Sequence, residues 1–119
     1  MGSRRVAFNE LDLKRIDHFV GALCRRRTRP DLADQLQLLY EVHGQSVVIA
    51  EERPDWRDPS RRLRNPVAKL RFVRTSGLWT LYWMRANLKW HAYRPAPPSR
   101  DLATLLDIID RDQYCAFFG

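Results

Sequence analysis

Over residues 66–94 the apolar side chains fall on alternate positions rather than every third or fourth, and a period of two commits that segment to strands. Ala68, Leu70 and Phe72 alternate with Lys69 and Arg71, which turns the first set toward a core and the second outward. Thr75-Ser76-Gly77 supplies a turn. Residues 78–85 and 88–93 then form two more strands around a short Ala86-Asn87 connection, rich in the aromatic residues that suit a pleated surface. The segment therefore reads as a three-stranded meander. The same period occurs upstream, where Leu36, Leu38, Tyr40 and Val42 share one face, His43-Gly44 offers a tight turn and residues 45–53 resume an extended course. That is a hairpin. Between hairpin and meander, Pro54, Asp55, Asp58, Pro59, Ser60 and Asn65 mark a long loop over residues 54–65, which Arg57, Arg61, Arg62 and Arg64 make strongly positive. Such a loop is a candidate functional segment.

Both ends of the chain change to helical spacing. Asn9 can cap a helix whose first turn holds Glu10 and Asp12, and Leu13, Ile16, Val20 and Leu23, joined by Phe19, form an apolar stripe that predicts a helix over residues 10–27. Arg25, Arg26 and Arg27 sit in its last turn, where cations complement the helix dipole; phosphate binding is the alternative use of that run. Pro95, Pro97 and Pro98 end the sheet. With Ser99 as a cap, Leu102, Leu105, Leu106 and Ile109 predict a second helix over residues 100–112. Tyr114, Cys115, Phe117 and Phe118 are too apolar for a free tail and are expected to dock on the fold.

With no internal repeat and no βαβ alternation, this order predicts an α+β fold. It comprises an N-terminal helix, a five-stranded antiparallel sheet made of the hairpin and the meander, and a C-terminal helix, with the helices packed on one face. At 119 residues the chain suits a single domain, residues 8–119 forming its compact core. The apolar runs at residues 47–50 and 81–84 are far short of the roughly 20 residues a membrane span needs. Charges from Glu10 onward leave no room for a secretory h-region, so no membrane contact and a cytoplasmic location are expected.

A formal charge of +7 points to a polyanionic partner, and residues 53–100 concentrate it, with twelve Lys or Arg against two acids. Of the 21 basic residues in the chain 18 are arginines, a bias that genome composition alone also produces. Trp and Tyr side chains interleaved with Lys69, Arg71, Arg85, Lys89 and His91 on the helix-free sheet face would form a stacking and phosphate-binding platform. The leading expectation is a non-catalytic module for RNA or single-stranded DNA. Its phosphate contacts would be Arg57, Arg61, Arg62, Arg64, Lys69, Arg71, Arg85 and Lys89, joined by Trp56, Trp83 and His91.

Two other functions fit the composition. The aromatic sheet face can instead serve protein–protein contact or homodimerisation, or be buried within the fold. Glu41, Glu51, Glu52, Asp55 and Asp58 can serve a metal-dependent nuclease if they converge, although the Asp…Glu-x-Lys order common in such enzymes is missing. No cofactor or metal is implied: there is no Gly-rich phosphate loop, no Gly-x-Ser-x-Gly elbow and no zinc-type Cys/His spacing. Cys24 and Cys115 are expected to be buried thiols, and His18, His43 and His91 are dispersed over helix, turn and strand.

The stretch Trp79-Thr80-Leu81-Tyr82-Trp83-Met84-Arg85-Ala86-Asn87-Leu88-Lys89-Trp90-His91-Ala92-Tyr93 resembles a family of small bacterial proteins classed only as a domain of unknown function. The likeness extends through residues 11–16, 44–48, 53–59 and 66–69, and so covers most of the chain. It implies a bacterial origin and no particular activity. The family pattern carries Asp where this chain has Asn87, so no catalytic role is given to that position.

Overall fold

In the computed structural model, which describes residues 8–118, the chain opens with α1 (Glu10–Ile16), a π-helical turn (Asp17–Gly21) and α2 (Ala22–Arg27). A capping box starts it: the Asn9 side chain accepts the Asp12 N–H at 2.8 Å, and the Asp12 carboxylate accepts the Asn9 N–H at 3.1 Å. Ile16, Val20, Leu23 and Cys24 are buried, but Leu13, expected on the same stripe, is exposed. The π turn inserts one residue, which rotates the preceding turn by about 100° and swings Leu13 out.

A 3₁₀ turn (Pro30–Leu32) leads into β1 (Gln37–His43), β2 (Ser46–Pro54), β3 (Arg62–Val73), β4 (Leu78–Met84) and β5 (Trp90–Ala92), followed by α3 (Leu102–Arg111). The strands lie in the order β1-β2-β3-β4-β5 with every neighbour antiparallel, so the expected hairpin and meander are one continuous sheet. Gly44, with a φ of 58°, turns β1 into β2 in the left-handed region where glycine is unstrained. The apolar residues of the helical segment and of α3 join Leu38, Val47, Ile49, Ala68, Leu70, Trp79 and Leu81 in one core, which places the helices on one face.

The loop expected over residues 54–65 is shorter. β2 runs through Pro54 and β3 starts at Arg62, leaving residues 55–61 as the connection. Arg62 and Arg64 are strand residues opposite Pro54 and Glu52. Their pairing is invisible to hydrophobic alternation because it is built on charge. A bulge follows: Pro66, Val67 and Ala68 span the two positions Ala50 and Ile49, and Val67 is buried. The extra residue resets the alternation, so that Arg62, Arg64, Lys69 and Arg71 share the helix-free face.

Asp101, rather than Ser99, caps α3, accepting the Ala103 N–H at 3.1 Å and the Thr104 hydroxyl at 2.8 Å. Ser99 instead exchanges backbone hydrogen bonds with Trp79 at 2.8 and 3.0 Å, sealing the edge of β4 beyond the short β5. The tail docks through the Asp112 carboxylate, which accepts the N–H groups of Phe117 and Phe118 at 2.9 and 2.7 Å. Phe117 is buried, but Tyr114 and Cys115 are exposed, so only Cys24 is the buried thiol expected of both. The arginine run makes contacts within the fold: Arg26 and Arg27 reach Asp110 of α3 at 3.3 and 2.8 Å, and the Arg27 guanidinium lies 3.7 Å from the Phe118 ring centre. Arg25 pairs with Asp17 at 3.5 Å. Among the described residues no helix is long and apolar enough to cross a membrane.

Candidate nucleic-acid interface

The residues singled out from the sequence fall in three places. On the helix-free face lie Arg62, Arg64, Lys69 and Arg71 of β3. Among the described residues Glu52 is the buried charged group, only 8% exposed, and it consumes two of these cations. Its carboxylate accepts from Arg64 Nε at 2.8 Å, Arg62 Nε at 3.4 Å and the Gln37 amide at 2.9 Å. Arg64 also reaches Glu41 at 2.6 Å, and Arg62 donates to the Asp34 carbonyl at 2.9 Å. The hydrogen bonds from Arg64 and Gln37 hold the Glu52 carboxyl below the usual carboxylate range, against the opposing effect of burial. The Lys69 ammonium sits 5.6 Å from the Tyr82 ring centre, a cation–π contact, and Arg71 is exposed with no ion pair among the described residues.

The second place is the loop of residues 55–61, where Trp56 is 82% exposed and the Arg57 guanidinium stands 5.1 Å from its ring centre. The third is the β4–β5 hairpin. Its five-residue bend is closed by the Arg85 N–H to the Lys89 carbonyl at 3.2 Å and the Leu88 N–H to the Arg85 carbonyl at 2.8 Å. Leu88 occupies the left-handed position with a φ of 61° and projects into solvent. The Asn87 side chain accepts the Lys89 N–H at 3.0 Å and meets His91 Nε2 at 3.3 Å.

Strand alternation divides the expected platform. Lys69 pairs with Tyr82, Arg71 with Thr80 and Met84 with Trp90, so Tyr82, Met84 and Trp90 join the lysine and arginine on the helix-free face. Trp83 pairs with Ala68 and with His91, and these point to the opposite side, the side of the helices. No single face carries Lys69, Arg71, Arg85 and His91 together.

On the helix side, beyond the helices, Trp83, Arg85, His91, Tyr93, Arg94 and Tyr114 line a cleft of about 410 Å³, completed by Ala92, Pro95 and Ala116. Trp83 and Tyr93 meet edge to face at 6.4 Å, and Tyr93 rests on Phe117 at 4.9 Å, so the docked tail supports the cleft floor. Burial pushes the Tyr93 phenol above its ordinary value. Arg85 lies 5.7 Å from the Trp83 ring centre. Among the described residues the lining contains three aromatic rings of Trp or Tyr, two arginines and a histidine, and no Asp or Glu. Arg94 and Tyr114 are not among the site residues expected from the sequence, which assigns Tyr114 only to the docking tail. The tail's apolar character signals that it docks, but not where.

The acids do not assemble. Glu41 and Glu52 both bind Arg64 on the helix-free face, whereas Glu51 has the opposite orientation and lines a groove with Arg27 and Phe118. Asp55 and Asp58 turn inward on their own loop, accepting the Arg57 N–H at 3.0 Å and the Ser60 N–H and hydroxyl at 3.2 and 2.6 Å. Among the described residues no three His, Cys, Asp or Glu side chains gather as a metal site. A groove of about 450 Å³ between α2 and β1 contains one cation, Arg25, already paired with Asp17.

No curated protein and no solved structure matches the chain. A family model described as Domain of unknown function (DUF3024) matches residues 8–119, which include the whole of the cleft, and the chain belongs to that family.

Proposed function

We propose that the protein is a non-catalytic module that binds RNA or single-stranded DNA, seating a base in the cleft beside β5. The supporting observation is the cleft's lining: Trp83, Tyr93 and Tyr114 offer ring surface, Arg85 and Arg94 offer charge, and among the described residues no Asp or Glu lines it, while the Asp112 carboxylate that acts on Tyr93 is occupied by the Phe117 and Phe118 N–H groups. Lys89 does not line the cleft but is exposed on the adjoining hairpin, where its carbonyl accepts the Arg85 N–H, and it supplies a third cation within reach of a longer strand. Such a site is tolerant of sequence, because every base presents a face for stacking while the arginines hold the backbone.

Fluorescence anisotropy of a labelled single-stranded oligonucleotide tests this. Affinity for a single strand falls with a log–log salt slope of about −0.7 per neutralised phosphate, so three cations give about −2, a loss of roughly 20-fold between 50 and 200 mM salt. No binding at the lower salt refutes the proposal and moves the search to protein partners. Homodimerisation through the helix-free face is the competing function, favoured by half-buried Val48, Tyr82, Met84 and Trp90, which no helix among the described residues covers. It requires a dimer mass in solution that Trp90→Ala abolishes.

A further inference from the structure

In an antiparallel meander the β2–β3 and β4–β5 connections emerge at the same end of the sheet, so the Trp56 loop and the cleft hairpin lie at one end, two strand spacings apart. They stand at different heights. Pairing of β3 with β4 begins at Ala68 opposite Trp83, and residues 62–67 run on beyond it, paired with β2 alone. Because Val67 is the bulge residue, this overhang advances by only the five β2 positions from Ala50 to Pro54, and at about 3.3 Å per position it carries the loop roughly 16 Å past the level of Trp83.

The loop at its tip is braced. The Asp55 N–H donates to the Arg61 carbonyl at 2.9 Å, the Asp58 N–H to the Asp55 carbonyl at 3.1 Å and the Arg61 N–H to the Asp58 carbonyl at 2.9 Å. Both loop carboxylates are spent on loop amides and the Ser60 hydroxyl. What the loop presents outward is therefore an indole and cations: Arg53, Arg57 and Arg61 are exposed and make no ion pair among the described residues. A Trp so exposed contributes no packing to the fold, and a fixed loop holds it there at little entropic loss on binding.

We infer that Trp56 is a second stacking point for the same nucleic-acid strand, so that the protein recognises a run of several nucleotides held at both ends of the β3 overhang. This rests on the cleft binding a base, as proposed above. The charge favours a strand over an apolar protein pocket, because Arg57 stands 5.1 Å from the indole and would be desolvated unpaired in such a pocket, while Arg53 and Arg61 are exposed at the two ends of the same connection. About five nucleotides at the stacked rise of 3.4 Å cover the overhang, and a more extended strand needs fewer.

The test is the affinity of oligothymidylates of about two to ten nucleotides for the wild-type chain, for Trp56→Ala and for Trp56→Phe. In the wild type, affinity should step upward once the strand reaches about four to six nucleotides, by about 5- to 100-fold for one added stacked base. Trp56→Ala should remove the step and leave dinucleotide affinity unchanged, while Trp56→Phe keeps part of it. If short strands bind but the long ones bind Trp56→Ala as well as wild type, the inference fails, the cleft stands, and Trp56 is left to a protein contact. If no oligonucleotide binds, both fail.

Discussion

Replacing Glu52 by Gln separates structural arginines from binding ones, because it keeps the side-chain shape and removes the charge that holds Arg62 and Arg64. A charge-assisted hydrogen bond contributes about 1.5–3 kcal/mol and a neutral one about 0.5–1.5, so each of the two arginine contacts loses about 1 kcal/mol. The contact at 3.4 Å is long, and the Arg62 and Arg64 side chains are 35% and 47% exposed, so water screens part of the loss. We expect a destabilisation of about 1–2 kcal/mol at pH 7, read by urea denaturation. The pH dependence carries the sign. Because the folded-state pKa of Glu52 lies below its ordinary value of 4.5, the stability it adds is fully present above that value and is lost as pH falls through the depressed pKa. The gap between wild type and Glu52→Gln should therefore close on acidification. Equal stability at pH 7, or a gap that widens toward acid, refutes the structural role given to this network. Freed of Glu52, Arg62 should also strengthen the binding of single strands relative to the wild type, whereas Arg64 stays paired with Glu41.

Arg85→Ala should weaken oligonucleotide binding and shrink the log–log salt slope by about 0.7, whereas a double Arg62→Ala, Arg64→Ala variant should lose stability and keep the dinucleotide affinity; equal slopes for Arg85→Ala and wild type place the phosphates elsewhere. In thiol titration of the native chain, exposed Cys115 should react promptly and Cys24 only after unfolding, since burial pushes the Cys24 thiol up to about 11; two fast thiols contradict the packing of α2. Leu88→Gly should raise stability by about 0.5–1 kcal/mol, because an L-residue in the left-handed region costs about 1–2 kcal/mol and glycine's added chain entropy offsets part of the gain. A lower melting temperature for that variant refutes the hairpin conformation.

Periodicity carried the reading of the fold. Alternation at Ala68, Leu70 and Phe72 and helical spacing at Leu102, Leu105, Leu106 and Ile109 are properties of a few consecutive residues, and the elements stand where they point. Asn65, which reads as the end of a loop, pairs with Glu51 inside β3, and the bulge follows it at Pro66 and Val67. Ser99 was credited with a cap that Asp101 makes, a shift of two residues that only the hydrogen bonds reveal. The candidate site was legible in part. Trp83, Arg85 and His91 do converge, but Arg94 and Tyr114 join them from segments whose docking depends on Tyr93, Phe117 and Asp112.

From its sequence alone the chain is determined to be an α+β domain with an antiparallel sheet, and its basic residues are placed mostly between residues 53 and 100. Tertiary structure alone decided which of those cations are available. One bulge residue, Val67, turns Arg62 and Arg64 to the face of Lys69 and Arg71, and there Glu52, ten residues or more away in sequence, captures them. Strand register similarly sends Trp83 and His91 to one side and Tyr82 and Trp90 to the other. The physical reason is common to both: hydrophobic period is a local property, whereas the face a side chain occupies and the charge it meets depend on cross-strand register, and a single inserted residue reverses every side chain beyond it.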